Sequence, residues 1–211
     1  MRLTDQVAIV TGAASGFGAE IARLFASEGA MVAVADLNRA GAHAVAAQSG
    51  SAALAFECDV SRRADVDALV AACVHEFGPP DIVVFVAEPL PPRERLLSLD
   101  ETSLDRAFAH AVKALFHLAH GVAPLMQPRR RGTLLSIGTD AAAHRLTRSL
   151  ALEFGAAGLR FNAIHPADAA TTPLGRPVRP HDVAAAALYL ASEEAAFITG
   201  MVLPVDGGCS V

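Results

Sequence analysis

The apolar run Val7-Ala8-Ile9-Val10 passes directly into Thr11-Gly12-Ala13-Ala14-Ser15-Gly16-Phe17-Gly18, beyond which apolar residues recur at helical spacing: Phe17, Ile21, Leu24 and Phe25. This order predicts a strand, a glycine turn and the start of a helix. Glycine lets the main chain approach a bound group, and the N–H groups of a helix start point at an anion, so the unit suits a pyrophosphate. It thereby announces a dinucleotide site. The same glycines also fit a purely structural reading, a tight strand-to-helix turn.

The rest of the chain repeats the alternation. Strand-like runs at Val7–Val10, Met31–Ala35, Ala53–Phe56, Ile82–Val86, Thr133–Ile137, Phe161–Ile164 and Val202–Val205 alternate with helical patterns. That pattern predicts a doubly wound parallel α/β sheet of Rossmann-like type with helices on both faces. With 211 residues, 53% of them apolar, one domain over 1–211 is expected to bury a full core. The third helix is expected to be capped by Ser61, to bury Val66, Leu69, Val70, Cys73, Val74 and Phe77, and to stop at Gly78-Pro79-Pro80. A longer helix is expected from about Ser103 to Met126, burying Leu104, Phe108, Ala111, Leu115, Leu118 and Val122. Glu88-Pro89-Leu90-Pro91-Pro92 reads as a loop leaving the fourth strand.

The formal net charge of -5 and scattered Lys and Arg offer no basic face for nucleic acid. Arg129-Arg130-Arg131 reads as a solvated turn at a helix C-terminus, where cations suit the dipole. Cys58, Cys73 and Cys209 form no C-x-x-C pair, so neither a metal site nor a disulfide framework is indicated. Arg2 and Asp5 precede the first strand, and Glu20 and Arg23 interrupt the apolar stretch beyond it, which argues against a signal peptide or membrane span. A soluble, cytoplasmic chain is expected.

Asp36 ends the second strand, where a carboxylate accepts hydrogen bonds from the adenosine ribose and repels a 2′-phosphate. Ser15 stands where a basic residue would grip that phosphate, so NAD is expected over NADP, although Arg39 lies close by. The structural alternative for Asp36 is a cap on the helix beginning near Asn38.

At this point the chain resembles a short-chain dehydrogenase/reductase. The residues carrying the resemblance are Thr11-Gly12-x-x-x-Gly16-x-Gly18, Asp36, Cys58-Asp59-Val60, Leu146-Thr147-Arg148-Ser149-Leu150-Ala151, Arg160-Phe161-Asn162-Ala163, Ile198-Thr199-Gly200 and Asp206-Gly207-Gly208. The resemblance implies a cofactor held along Gly12, Ser15, Gly16, Phe17, Gly18, Asp36, Leu37, Asp59, Val60 and Ala87. In it, Asp59 bonds the adenine amino group and Val60 lines the adenine slot. It also implies a homodimer or homotetramer built on the long helix, the next helix and the last strand, with Leu115, Leu118, Leu146, Leu150 and Val202 available.

The family's catalytic residues are not matched in the same way. Its mechanism uses a tyrosine, a lysine four residues later, a serine and an asparagine, the tyrosine needing a nearby cation to exchange a proton at neutral pH. The single tyrosine here, Tyr189, falls in the apolar stretch Ala187-Leu188-Tyr189-Leu190 and reads as a packing residue. Thr139 corresponds to the serine, Asp140 to the lysine and Ala111 to the asparagine, while Phe85-Val86-Ala87-Glu88 replaces the family's Asn-Asn-Ala-Gly. Thr139 and Asp140 are adjacent, so the tyrosine segment between them is missing, and Asp140 reads instead as the cap of a helix Ala141–Phe154. Pro166-Ala167 replaces Pro-Gly, and Thr171 and Thr172 run almost at once into Pro173-Leu174-Gly175-Arg176, leaving little substrate lid.

No catalytic residue is therefore assigned. Three readings stay open: a nucleotide-binding homologue without the usual hydride transfer, an oxidoreductase rebuilt around Thr139, His144 or Glu88, and a cofactor-free partner of an active relative. His144 and His165 face the expected site but also fit structural roles, and His110, His117 and His120 read as ordinary positions on the long helix.

Overall fold

The computed structural model describes residues 1–87, 100–167 and 170–210. Its seven strands join one parallel sheet in the order β3-β2-β1-β4-β5-β6-β7. They are β1 (Val7–Thr11), β2 (Met31–Asp36), β3 (Ala53–Glu57), β4 (Ile82–Val86), β5 (Gly132–Ile137), β6 (Leu159–Pro166) and β7 (Val202–Val205). The helices are α1 (Gly16–Ser27), α2 (Arg39–Gln48), α3 (Arg63–Phe77), α4 (Glu101–Phe108), α5 (Ala114–Met126), α6 (Ala141–Phe154) and α7 (Pro180–Ala191), with a π-turn, Ala109–Lys113, joining α4 to α5.

The continuous apolar strands are explained by burial of both sheet faces. Ala8 and Val10 of β1 point into one core with Ile21 and Phe25 of α1 and Val183 and Ala187 of α7. Val7 and Ile9 point into the other, with Val66 and Leu69 of α3 and Leu115 and Leu118 of α5. The chain order reverses at β1, whose neighbours are β2 and β4. A crevice at the carboxyl ends of strands flanking such a reversal is where doubly wound sheets bind ligands.

Several local expectations need correction. Ser61 does not cap α3: its hydroxyl donates to Asp59 Oδ1 at 2.6 Å, and the helix starts one residue later, after Arg62. Val74 is exposed. In the long helix Leu104 and Phe108 are exposed, whereas Ala111, Leu115, Leu118 and Val122 are buried. The π-turn adds a residue to one turn and so rotates everything before it out of phase with the stripe on α5.

The arginine run is also more than a solvated turn. Arg129 donates to the Pro79 and Pro80 carbonyls and pairs with the buried Asp81, and Arg130 donates to the Ala156 carbonyl. Asp81 Oδ2 in turn accepts the Val7 N–H at 3.0 Å, tying β1 to the start of β4. Among the described residues no helix is long and apolar enough to cross a membrane.

Candidate functional site

Between β1 and α1 the chain turns at Gly12, φ +66°, and Gly16, φ +54°, a left-handed region that side chains with a Cβ rarely enter. A Cβ on Gly12 would lie 2.8 Å from the Val86 carbonyl oxygen, and one on Gly18 would collide with the Gly12 carbonyl. Both glycines are thus required by packing against β4 and across the turn. The α1 N-cap, Ser15, is extended and makes no side-chain capping bond. The first N–H groups of α1 therefore have no cap acceptor, and they form the positive end of the helix dipole. This is the cradle a pyrophosphate requires.

Asp36 closes one side of that turn. Its Oδ2 accepts the Ala14 N–H at 2.9 Å and its Oδ1 the Asn38 N–H at 2.8 Å. A carboxylate has about four acceptor positions, so capacity remains for two ribose hydroxyls. The cap of α2 is Asn38, whose side chain accepts the Gly41 N–H, so the capping alternative for Asp36 is not realised. Leu37 is exposed beside it, and Arg39 lies 3.9 Å from Glu57.

A small cavity continues from the turn, bordered by Gly12, Asp36, Leu37, Asp59, Val60 and His110. Burial works against the charge of Asp59, but the Ser61 hydroxyl and N–H, with His110 and Arg62 nearby, hold its carboxyl below the usual range. Cys58 forms the floor; its thiol is pushed up to about 12 by burial, then by Asp65 and Asp59, and is inert at neutral pH. His110 was not expected here. Nor was His117, whose Nδ1 lies 3.2 Å from the Val60 carbonyl oxygen. No pattern of helical periodicity marks His110, which the π-turn carries to the cavity wall.

The predicted cofactor residues Gly12, Ser15, Gly16, Phe17, Gly18, Asp36, Leu37, Asp59 and Val60 thus gather at the carboxyl ends of β1, β2 and β3. Ala87 is placed at the end of β4 by its N–H, which donates to the Ile137 carbonyl. A larger cavity, about 460 Å³, lies at the opposite, amino ends of the strands, among Asp81, Arg131 and Arg160. There the Arg160 guanidinium is already engaged by the carbonyls of Leu190, Ala191, Ser192 and Ile198, and the glycine turn after β1 is at the other end of the strands.

At the carboxyl ends of β5 and β6, Thr139 is exposed and Asp140 caps α6, its Oδ1 accepting the Ala143 N–H at 2.8 Å. The helix begins at Ala141, as expected. His144 lies on its first turns, with Nε2 at 2.9 Å from the Gly138 carbonyl oxygen and its ring 5.4 Å from that of His165. Burial, partly offset by that carbonyl, and then the neighbouring His165, lower the His144 pKa from 6.5. Ala111 is buried inside the π-turn. Tyr189 sits near the end of α7 and is partly exposed rather than packed. Glu88, and with it the proline-rich loop, lies outside the described residues. After β6, the Thr172 hydroxyl donates to the Arg176 carbonyl and the Leu174 N–H to Gly207, so this short connection folds back on the turn after β7. Among the described residues no cluster of side chains could hold a metal ion.

Comparison with known proteins agrees with this architecture. Residues 6–142 match the short chain dehydrogenase family, and residues 167–210 match a family described as Enoyl-(Acyl carrier protein) reductase. A 4-formylbenzenesulfonate dehydrogenase from Comamonas testosteroni is 36% identical over 252 positions, covering 100% of both chains. Those positions outnumber the 211 residues here, so the relative holds internal residues that this chain lacks. A D-threitol dehydrogenase from Mycolicibacterium smegmatis is 35% identical over 100% of this chain and 95% of its own. The crystal structure of a 3-ketoacyl-(acyl-carrier-protein) reductase from Brucella melitensis complexed with NADH superposes with a TM-score of 0.95 at 32% identity, covering 99% of this chain and 100% of that one.

Proposed function

The chain belongs to the short-chain dehydrogenase family, and on that premise we propose that it binds NAD(H) and does not carry the family's tyrosine-dependent hydride-transfer machinery. The observation that carries the binding half is the uncapped start of α1 behind Gly12 and Gly16, directly beside Asp36 and the Asp59 cavity. The pyrophosphate is held by the N–H groups of Gly16, Phe17 and Gly18, the adenosine ribose by Asp36, and the base between Leu37 and Val60 with its amine on Asp59. Ala87 borders the cofactor at the end of β4. When bound, NAD(H) supplies a hydride donor or acceptor at its nicotinamide.

The same reading explains the other half of the site. Asp140, at the family's lysine position, is spent on capping α6, and the only tyrosine is on α7. A neighbouring carboxylate raises a phenol's pKa rather than lowering it, so no arrangement on this helix start favours a phenolate. The protein then serves as a nucleotide-responsive subunit, soluble and cytoplasmic. Calorimetric titration with NADH tests the binding half: saturable one-site binding is expected, and no heat at high micromolar NADH would leave only the cofactor-free partner.

One observation favours a second reading. His144 and His165 stand together where the missing segment would lie, and a neutral His144 can accept a proton from an alcohol. In that case the chain is an active oxidoreductase with His144 as its base, and replacing His144 abolishes turnover.

A further inference from the structure

Three features meet at the Asp59 cavity that the family reading does not use. His110, carried by the π-turn, borders it. Asp59 Oδ1 is doubly occupied, accepting the Ser61 N–H at 2.9 Å and the Ser61 hydroxyl at 2.6 Å, whereas Oδ2 accepts no hydrogen bond from the described residues. His110 is also close enough for its charge to act on Asp59.

We propose that His110 is a positioning residue of the adenine slot: its neutral ring covers the base while Asp59 takes the exocyclic amine, and its protonated ring takes Asp59 for itself and displaces the base. This rests on the nucleotide reading above. Histidine is the side chain whose charge ordinarily changes between pH 5 and 8. A protonated imidazole is a charged donor on both nitrogens, so its bond to the Asp59 carboxylate joins opposite charges, whereas the neutral amine of the base brings no charge of its own. Competition for the free oxygen therefore favours the imidazolium once it forms. The nucleotide binds the neutral form, so affinity falls as pH falls.

The other charged and titratable groups around the cavity do not supply this behaviour. Asp59 is held charged, and the Cys58 thiol stays protonated. Asp36 is engaged by two backbone N–H groups, and Arg62 lies 3.8 Å from Asp65. On the helix of His110 itself stand Arg106 and Lys113, and His117 is tied through Nδ1 to the Val60 carbonyl. His117, the other histidine held near this cavity, needs its own control.

The test measures binding of ADP-ribose, which lacks the nicotinamide and keeps the result independent of any hydride chemistry. Titrations at about pH 8 and about pH 5.5 compare wild type, His110→Phe, His110→Gln and His117→Ala, with circular dichroism confirming the fold at both pH values. Wild type and His117→Ala are expected to lose about tenfold in affinity at the lower pH, by proton linkage. Neither His110 variant should change by more than about twofold. Calorimetry near pH 6 in two buffers of different ionisation enthalpy should show proton release on binding to wild type and none with His110→Phe. A pH dependence that survives in both His110 variants, or disappears in His117→Ala, overturns the assignment. Absence of ADP-ribose binding by every protein at pH 8 instead removes the nucleotide reading, and this assignment with it.

Discussion

The rings of His144 and His165 lie 5.4 Å apart across the carboxyl ends of β5 and β6, and His144 Nε2 sits 2.9 Å from the Gly138 carbonyl oxygen. A carbonyl only accepts, so Nε2 carries the proton and Nδ1 of the neutral ring holds the lone pair. Burial first, and then His165, push the His144 pKa below 6.5. A histidine whose folded pKa is depressed destabilises the fold when it protonates: its contribution is intact above the unfolded value and is lost as pH falls through the window beneath it. Thermal unfolding should therefore show stability falling as pH drops from about 7 toward about 5. His144→Gln keeps a donor for Gly138 and should flatten that part of the curve. An unchanged slope in this variant would remove His144 from the account of acid sensitivity.

Asp36 is expected to set the choice between the two nicotinamide dinucleotides. Its carboxylate is fixed by the Ala14 and Asn38 N–H groups, so it cannot swing away from a 2′-phosphate. Arg39, the nearest cation in sequence, lies by Glu57. Repulsion and an unmet hydrogen bond should weaken NADPH relative to NADH by about 1–3 kcal/mol, roughly 5–150-fold. Asp36→Asn should narrow that gap. Paired titrations decide it, and equal affinities in wild type would show that Arg39 reaches the phosphate after all.

The strands were legible in the sequence to within a residue or two, because runs such as Val7–Val10 and Ile82–Val86 are buried on both faces and admit no polar interruption. Asp140 was legible as a cap for the same kind of reason: one short carboxylate stands directly before a helical stripe. The phase of the long helix was not. A π-turn carries no propensity signal of its own, and one inserted residue moves Leu104 and Phe108 to solvent and His110 to the Asp59 cavity. Ser61 does not cap because its hydroxyl has a choice of partners, and the Asp59 carboxylate wins it. Periodicity records which face is apolar and is silent on which polar neighbour a side chain selects.

Gly12 and Gly16 share a left-handed backbone yet should respond differently to alanine. At Gly12 the new Cβ meets the Val86 carbonyl oxygen at 2.8 Å, whereas at Gly16 nothing lies within 4 Å. Gly16→Ala should cost only the conformational term, about 1–2 kcal/mol. Gly12→Ala adds displacement of β4 against the turn and should cost about 1–3 kcal/mol more, with loss of NADH binding. Urea unfolding of both variants checks the order, and equal losses would mean that the contact with β4 yields freely.

Of the residues the sequence suggested for self-association, Leu115 and Leu118 are fully buried within the chain and Leu150 nearly so, whereas Leu146 and Val202 are half-buried. Phe116, 49% exposed on α5, and Leu152, 87% exposed on α6, are the most exposed large apolar groups on those helices. A homodimer or homotetramer built on α5 and α6 should dissociate in Phe116→Glu/Leu152→Glu, with little change in monomer stability because neither side chain supports the core. Light scattering at micromolar concentration checks both points. A monomeric wild type would count against the interface altogether.

Hydride transfer is where the chain is expected to part from its relatives. Losing a positioned general acid costs about 10²–10⁴ in rate, and here Asp140 caps α6 at the position of the family's lysine while Ala111 stands where an asparagine is expected. NADH oxidation should therefore stay at background across a panel of ketones, aldehydes and sugars, and alcohols should not reduce NAD. Asp140→Lys should not restore turnover, because it supplies a cation with no phenol to activate, and it should lower stability by about 0.5–2 kcal/mol through loss of the cap. Robust turnover abolished by His144→Ala would establish the rebuilt site in place of the noncatalytic one. Turnover indifferent to that change would place the proton-transfer group elsewhere on the chain.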